Sequence, residues 1–269
     1  MEQQTQNQVA VNEWDHIRVE KNLQRKTATI ILDRPEKMNS LSYIGRFHLN
    51  QIFEQLNQDD EVRVIIIKGA GTKAFSSGGT IAQFLERHPE ELSVLHYNVA
   101  APERSPKPVI AQLQGYTFGV GLEIAMACDF RVASETTLLA LPEIRLGMIP
   151  GSGGTQRIAR IAGLGRAKDM IMRGRRIPAE EAYQWGLLTM VVPQEELENA
   201  VQGLVDELLQ YSPMVLRVLK QVLNASQEGP LSAGLAIEGY AYGMLRSTDD
   251  FREGVNAFYE KRKPNFTGR

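Results

Sequence analysis

The chain has 269 residues, 43% hydrophobic and 23% charged, with 30 Lys and Arg balanced against 32 Asp and Glu for a net charge of −2. That near-neutral balance argues against a dedicated nucleic-acid or anionic-membrane binder, which carries a basic excess. One cysteine, Cys128, excludes an internal disulfide and a multi-cysteine metal cluster. The polar first dozen residues are expected to be a tail, without a secretory or transit signal, and no apolar run approaches the length of a membrane span. The expectation is a cytoplasmic globular protein of one large domain, or of one domain plus a small appendage.

Along the chain, His16-Ile-Arg-Val-Glu and Thr27-Ala-Thr-Ile-Ile-Leu read as paired strands around a polar break at 22–26. Ser42 is placed to cap a helix carrying Ile44, Phe47, Leu49, Ile52, Phe53 and Leu56 at helical spacing. A buried strand follows at 62–67, then the glycine-rich turn Ser76-Ser77-Gly78-Gly79 and a polar helical stretch to about Tyr97. Pro108-Val-Ile-Ala-Gln-Leu is a strand, 115–121 a glycine-bounded turn, and Leu122 to Cys128 an apolar helix. Two short strands are expected at 129–133 and 137–141. Beyond Gly151 helices take over, with Gly163 and Gly165 as breakers, Pro178 opening a helix that Gly186 ends, and later helices at 196–211, 213–222, 231–245 and 249–261. Alternating strands and helices followed by helices alone imply an α/β domain with a helical tail.

The segment Gly119-Val-Gly-Leu-Glu-Ile-Ala admits three readings. It matches G-x-G-x-x-A between a strand and a helix, a dinucleotide fingerprint, with Glu143 twenty residues after Glu123. A carboxylate in the first helical turn would, however, repel a phosphate. It is equally a turn that needs glycine. Thirdly, backbone N–H groups at a helix start also stabilise a developing oxyanion. The loop Ser77-Gly78-Gly79-Thr80 could then supply a second donor, while Glu123 and Glu143 offer two carboxylates for acid–base chemistry beside a carbonyl. Cys128 reads as a buried helix residue, and His16, His48, His88 and His96 lack metal spacing. Ser152 is not in a nucleophile elbow, because Pro150 stands where that motif needs glycine.

A longer set of motifs resembles the enoyl-CoA hydratase (crotonase) superfamily. They are Leu32-Asp-Arg-Pro-Glu-Lys-Met-Asn, Ala74-Phe-Ser-Ser-Gly-Gly, Pro108-Val-Ile-Ala, Phe118-Gly-Val-Gly-Leu-Glu-Ile-Ala, Cys128-Asp129, Leu141-Pro-Glu through Thr155-Gln-Arg, Gly174-Arg-Arg and Phe258-Tyr-Glu-Lys-Arg-Lys-Pro. The resemblance runs in family order from about residue 16 to the end. It implies a crotonase-like spiral of ββα turns with the active site in 1–200 and a C-terminal helical trimerisation region in 201–269.

The resemblance also implies roles. Gly79 and Val120 match the two N–H donors of an oxyanion hole, and Glu123 and Glu143 match the two glutamates of the hydratase branch, which add water reversibly to a 2-enoyl-CoA. Lys37, Met38 and Ser77 are implied CoA contacts, and Phe258 and Lys261 on the final helix are implied contacts to a neighbouring subunit's CoA. CoA enters as part of the substrate, so no cofactor and no metal is expected. The expected partners are an acyl-CoA and further copies of the chain, in a trimer or dimer of trimers, with no nucleic acid and no membrane. The alternatives are another CoA-thioester reaction on the same fold, namely isomerisation, C–C hydrolysis or a carnitinyl-CoA-type dehydration, or a non-catalytic or RNA-binding homologue.

Three positions depart from the family pattern: Val120 within Gly-Val-Gly, Thr80 where Asp is common, and Leu141 where Gln is common. Leu141 removes polar contacts near a glutamate, which raises the glutamate's pKa if it is buried. The acyl pocket is expected to depend on the segment 84–98, the least family-like part of the chain.

Overall fold

A computed structural model describes residues 14–85 and 87–269; the polar segment read as a tail lies outside the described residues. The alternating segment Ile17–Asn22 forms β1 and the apolar run Thr27–Leu32 forms β2, paired antiparallel with Ile17 opposite Leu32. Ser42 accepts the Gly45 N–H at 2.9 Å and caps α1 (Tyr43–Gln58). This helix buries Leu49, Ile52, Phe53 and Leu56 as expected, but Ile44 and Phe47 are each 50% exposed, while Arg46 and Asn50 are buried. Its inward face is therefore rotated toward Arg46.

The strands then alternate between two sheets. β3 (Val64–Gly69) enters the larger sheet and β4 (Ala74–Ser76) the smaller, as do β5 (Val109–Leu113) and β6 (Tyr116–Phe118), then β7 (Phe130–Ser134) and β8 (Leu138–Ala140). The six-stranded sheet runs β1, β2, β3, β5, β7 and β10 (Met190–Val192); the four-stranded one runs β4, β6, β8 and β9 (Arg176–Pro178). Each turn of this ββα spiral places the end of a smaller-sheet strand beside the next, so loops distant in sequence converge. The three-residue strands β4, β6, β9 and β10 were not expected, because so few residues carry no alternation to read. The helix-only reading after Gly151 is corrected by the last two.

The stretch 81–104 is also more broken than expected. A 3₁₀ turn at Ile81–Gln83 is followed by the short helices α2 (Pro89–Ser93), α3 (Leu95–Val99) and α4 (Ala101–Arg104), with Pro89 and Pro102 in first turns. α5 (Val120–Ala127) begins two residues before the expected Leu122. α6 (Gly154–Ala162), α7 (Leu164–Met172) and α8 (Ala179–Gln184) follow; Gly163 separates the first two at φ 86°, but Gly165 lies inside α7.

The described residues up to Ser105 together with Val109–Val201 form one compact unit, whose core includes Ile30, Leu49, Phe53, Ile65, Phe75, Leu113 and Leu122. Pro106–Pro108 and Gln202–Arg269 form the second. α9 (Leu197–Leu209) leads into it, followed by α10 (Pro213–Ala225), α11 (Leu231–Leu245) and α12 (Asp249–Glu260). In this second unit Asp250 holds the chain end, accepting from Ser212 Oγ at 2.5 Å and from the N–H groups of Thr267 at 2.7 Å and Gly268 at 2.9 Å. α11 buries none of its residues. Among the described residues, no helix is long and apolar enough to cross a membrane.

Candidate active site

Two glycine-bearing loops of the first unit meet edge to edge. After β4, Ser76 Oγ donates to the Asn39 carbonyl at 2.8 Å and accepts the Gly78 N–H at 3.2 Å. On the other side, Leu41 N–H donates to the Gly78 carbonyl and Thr80 N–H to the Leu41 carbonyl, both at 2.9 Å. Asn39 Nδ2 donates to the Ala74 carbonyl at 2.8 Å, so the segment through Met38 and Asn39 is stitched to the loop. Ser77 completes it, its N–H donating to the Met38 carbonyl at 2.8 Å and its Oγ to that of Lys37 at 3.3 Å.

The second loop follows β6. Gly119, at φ 52°, donates its N–H to the Ala140 carbonyl at 3.0 Å and turns the chain into α5. Gly121 lets that helix lie against β4: a β-carbon there would stand 2.6 Å from Ser76 Cβ. Gly79 and Val120 consequently sit on adjoining loops. Among the described residues neither N–H has a backbone acceptor, and that of Val120 is one of the unused donors of a helix start.

Glu123, in the first turn of α5, is 2% exposed. Its Oε1 accepts the N–H of Ser152 at 2.7 Å and of Gly154 at 2.9 Å, where α6 begins. Burial pushes its pKa up, opposed by those two hydrogen bonds and by the charges of Arg46 and Arg157. Arg157 is itself tied to Glu103, with Nε at 3.2 Å and Nη2 at 2.5 Å, and donates to the Ser152 carbonyl at 3.3 Å. The loop around Ser152 is thus fixed from both sides.

Glu143 lies in a 3₁₀ turn, Pro142–Leu146, with Oε1 against Gly119: a β-carbon on that glycine would stand 3.0 Å away. Its Oε2 is buried with no hydrogen-bond partner. Burial, with the Glu123 charge adding and that of Arg46 opposing, pushes its pKa up to about 7. Leu141 is fully buried, and its methyl groups pack where a side chain on Gly154 would go. One carboxylate is therefore braced by N–H donors, while the other has an oxygen left bare. Glu143 abuts Gly119 itself, so it does not take the place of the acidic residue in a dinucleotide fold.

An enoyl-CoA hydratase/isomerase family model matches residues 22–269. The chain belongs to the enoyl-CoA hydratase/isomerase family. A crotonyl-CoA hydratase of Syntrophomonas wolfei is 35% identical over 261 residues, covering 95% of this chain and 99% of the relative. A carnitinyl-CoA dehydratase of Salmonella paratyphi A is 36% identical, covering 89% and 94%. The crystal structure of an enoyl-CoA hydratase from Bacillus anthracis superposes with a TM-score of 0.89 at 36% identity, covering 95% of this chain and all of that one. The mixed α/β crotonase fold with C-terminal helices agrees with that neighbour.

Against this family background, the structure gathers Gly79, Val120, Glu123 and Glu143 in the first unit, with Lys37, Met38 and Ser77 on the adjoining loop. Phe258, 79% exposed, and Lys261, which closes α12 at φ 54°, belong to the second unit. Reading the residues alone missed two features. The Pro150-Gly-Ser-Gly-Gly run is the cradle of Glu123, and its density of glycine was the available signal. Arg46 was missed although it falls on the same helical stripe as Leu49, Phe53 and Leu56, where a charged residue is out of place. Among the described residues, no three His, Cys, Asp or Glu side chains cluster to hold a metal ion.

Proposed function

We propose that the chain is an enoyl-CoA hydratase, adding water reversibly to a 2-enoyl-CoA to give a 3-hydroxyacyl-CoA. The observation that carries this reading is the pair of unlike carboxylates beside two unused N–H groups. The thioester oxygen of the substrate sits between the N–H groups of Gly79 and Val120, where charge builds as the enolate forms; one such donor lowers the barrier by about 3–4 kcal/mol. Glu123, braced by Ser152 and Gly154, serves as the carboxylate that takes a proton from water as its oxygen bonds to Cβ. Glu143, whose pKa of about 7 leaves a large fraction of it protonated in neutral solution, gives its proton to Cα as the enolate collapses. The C=C electron pair moves to the thioester oxygen and back to Cα, and solvent exchange returns both glutamates to their starting states.

CoA arrives with the acyl group, so the reaction draws on no separate cofactor. Lys37, Met38 and Ser77 line its path, and Phe258 and Lys261 of the final helix are assigned to the CoA held by a neighbouring copy of the chain. We also assign the exposed Leu231, Leu235 and Tyr240 of α11 to contacts with other copies of the chain, in a trimer or dimer of trimers, and place the enzyme in the cytoplasm. Support for hydration over isomerisation comes from the presence of both glutamates and from the similarity to a crotonyl-CoA hydratase. Purified protein tests the proposal directly. It should form 3-hydroxybutanoyl-CoA from crotonyl-CoA and water, whereas double-bond migration with no water added would contradict it.

A further inference from the structure

Arg46 carries a buried charge that no described carboxylate hydrogen-bonds. It is the fourth residue of α1, 5% exposed, and its guanidinium makes no ion pair or hydrogen bond with any described residue; its Nε is buried and unpaired. Its one close electronic contact is the ring of Tyr43, 5.1 Å from the guanidinium carbon. A buried cation without a counter-ion is strongly disfavoured, so a fold that keeps one must offset it elsewhere or present it to a ligand.

The position of the guanidinium indicates the ligand. Nη2 lies 2.4 Å from where a β-carbon on Gly79 would stand, beside the ring of Phe84 at 2.9 Å. It flanks the side-chain face of Gly79 rather than its N–H, and so borders the thioester site without filling it. It also faces Glu123 and Glu143 closely enough to feel both charges, yet bonds to neither. On the hydratase reading, an acyl group whose thioester is held at Gly79 passes close to the Arg46 guanidinium. Next to Gly79, the hydroxyl of Thr80 is buried and likewise has no partner. The guanidinium fork matches a carboxylate with two parallel N–H donors.

We infer that Arg46 is a specificity-determining residue that binds a carboxylate on the acyl group, so that the preferred substrate is an enoyl-CoA derived from a dicarboxylic acid. The inference rests on the hydratase reading and narrows it. A monocarboxylic acyl chain leaves the Arg46 guanidinium without a hydrogen-bonded counter-ion in the complex, whereas an acyl chain ending in a carboxylate supplies one. Because Arg46 lies close to the thioester site, the chain between the two carbonyl carbons must be short.

The test compares crotonyl-CoA with 4-carboxybut-2-enoyl-CoA in the wild type, Arg46→Met and Arg46→Lys. The wild type should favour the carboxylated substrate in kcat/KM. Arg46→Met should lower the ratio of the two kcat/KM values by about 10²-fold, chiefly through KM for the carboxylated substrate, and Arg46→Lys should restore part of it. An unchanged ratio in Arg46→Met, with both substrates losing equally, would overturn the inference and make Arg46 a general electrostatic group at the thioester. Inhibition of the wild type needs no variant: glutaryl-CoA should compete at least tenfold better than pentanoyl-CoA, and equal competition would overturn the inference. If the wild type hydrates crotonyl-CoA but binds neither carboxylated compound more tightly, this inference fails while the hydratase reading stands. Failure to hydrate either substrate overturns both.

Discussion

Gly78 and Gly119 face each other across the site: a β-carbon built on Gly78 would lie 3.7 Å from the α-carbon of Gly119, and one on Gly119 would lie 3.5 Å from that of Gly78. Both have positive φ, 113° and 52°. This contact couples the loop carrying Gly79 to the helix start carrying Val120, so the separation of the two donors is set by backbone rather than by mobile side chains. Preorganised donors of this kind need little rearrangement as charge develops.

Gly121→Ala should separate those loops. The new methyl group would meet Ser76 Cβ at 2.6 Å and the Ser76 carbonyl at 2.9 Å, and that carbonyl cannot rotate away. α5 must then move off β4, carrying Val120 with it. We expect kcat to fall about 10²-fold with a smaller change in KM, measured by steady-state kinetics with crotonyl-CoA. A variant that keeps the wild-type kcat would show that the approach of α5 to β4 does not set the donor geometry.

Gly154→Ala addresses the cradle of Glu123. Its β-carbon would meet Leu141 Cδ1 at 2.8 Å and Glu123 Cγ at 3.2 Å. Activity should drop at least tenfold, and a second change, Leu141→Ala, should recover part of the loss by clearing space. The double-mutant cycle reads this coupling; additive losses would place the effect elsewhere.

The raised pKa of Glu143 links stability to pH. Its neutral form is favoured by the fold, so the folded state carries no penalty from it below the ordinary carboxylate pKa. The penalty grows as pH rises from about 4.5 toward the folded value of about 7, then levels off. Glu143→Gln, which stays neutral, should therefore be more stable than wild type by about 2–3 kcal/mol at pH 8, and equal to it near pH 4. Urea unfolding at the two pH values measures the difference.

The same titration shapes the rate. With Glu143 acting as the proton donor in hydration, kcat/KM for crotonyl-CoA should fall as pH rises through about 7. A profile rising through that range would assign the donor role to Glu123 instead.

The second unit provides a structural test apart from the chemistry. A cleft of about 370 Å³ there is lined by Asp249, Asp250, Glu253, Arg262, Asn265 and Thr267. Its carboxylates are already engaged: Asp250 by Ser212, Thr267 and Gly268, and Glu253 by Arg262 and Asn265. Asp250→Ala leaves those donors in place without their acceptor and should destabilise this unit by about 2–4 kcal/mol, seen as lost amide protection at Thr267 and Gly268 by hydrogen exchange. Unchanged protection would mean that other contacts hold the chain end.

Much of this fold is legible where burial imposes a period. The runs that became β2, β3 and β5 are apolar because both sheet faces are covered, and Ser42 announces α1 through its capping hydroxyl. β4, β6, β9 and β10 are invisible by the same logic, since three residues held by their neighbours need no pattern of their own. At the site, glycines and glutamates are readable as types, but the grip of Ser152 and Gly154 on Glu123 uses backbone N–H groups that every sequence possesses. Arg46 was legible in principle as a charge on an apolar stripe, yet its meaning depends on what the chain brings opposite it.

The most direct measurement is the rate of crotonyl-CoA hydration by Glu123→Gln and Glu143→Gln, each compared with wild type at pH 7. Two carboxylates working on one water predict that each change lowers kcat by about 10²–10⁴-fold while the protein stays folded. Wild-type turnover by either variant would contradict the two-carboxylate site.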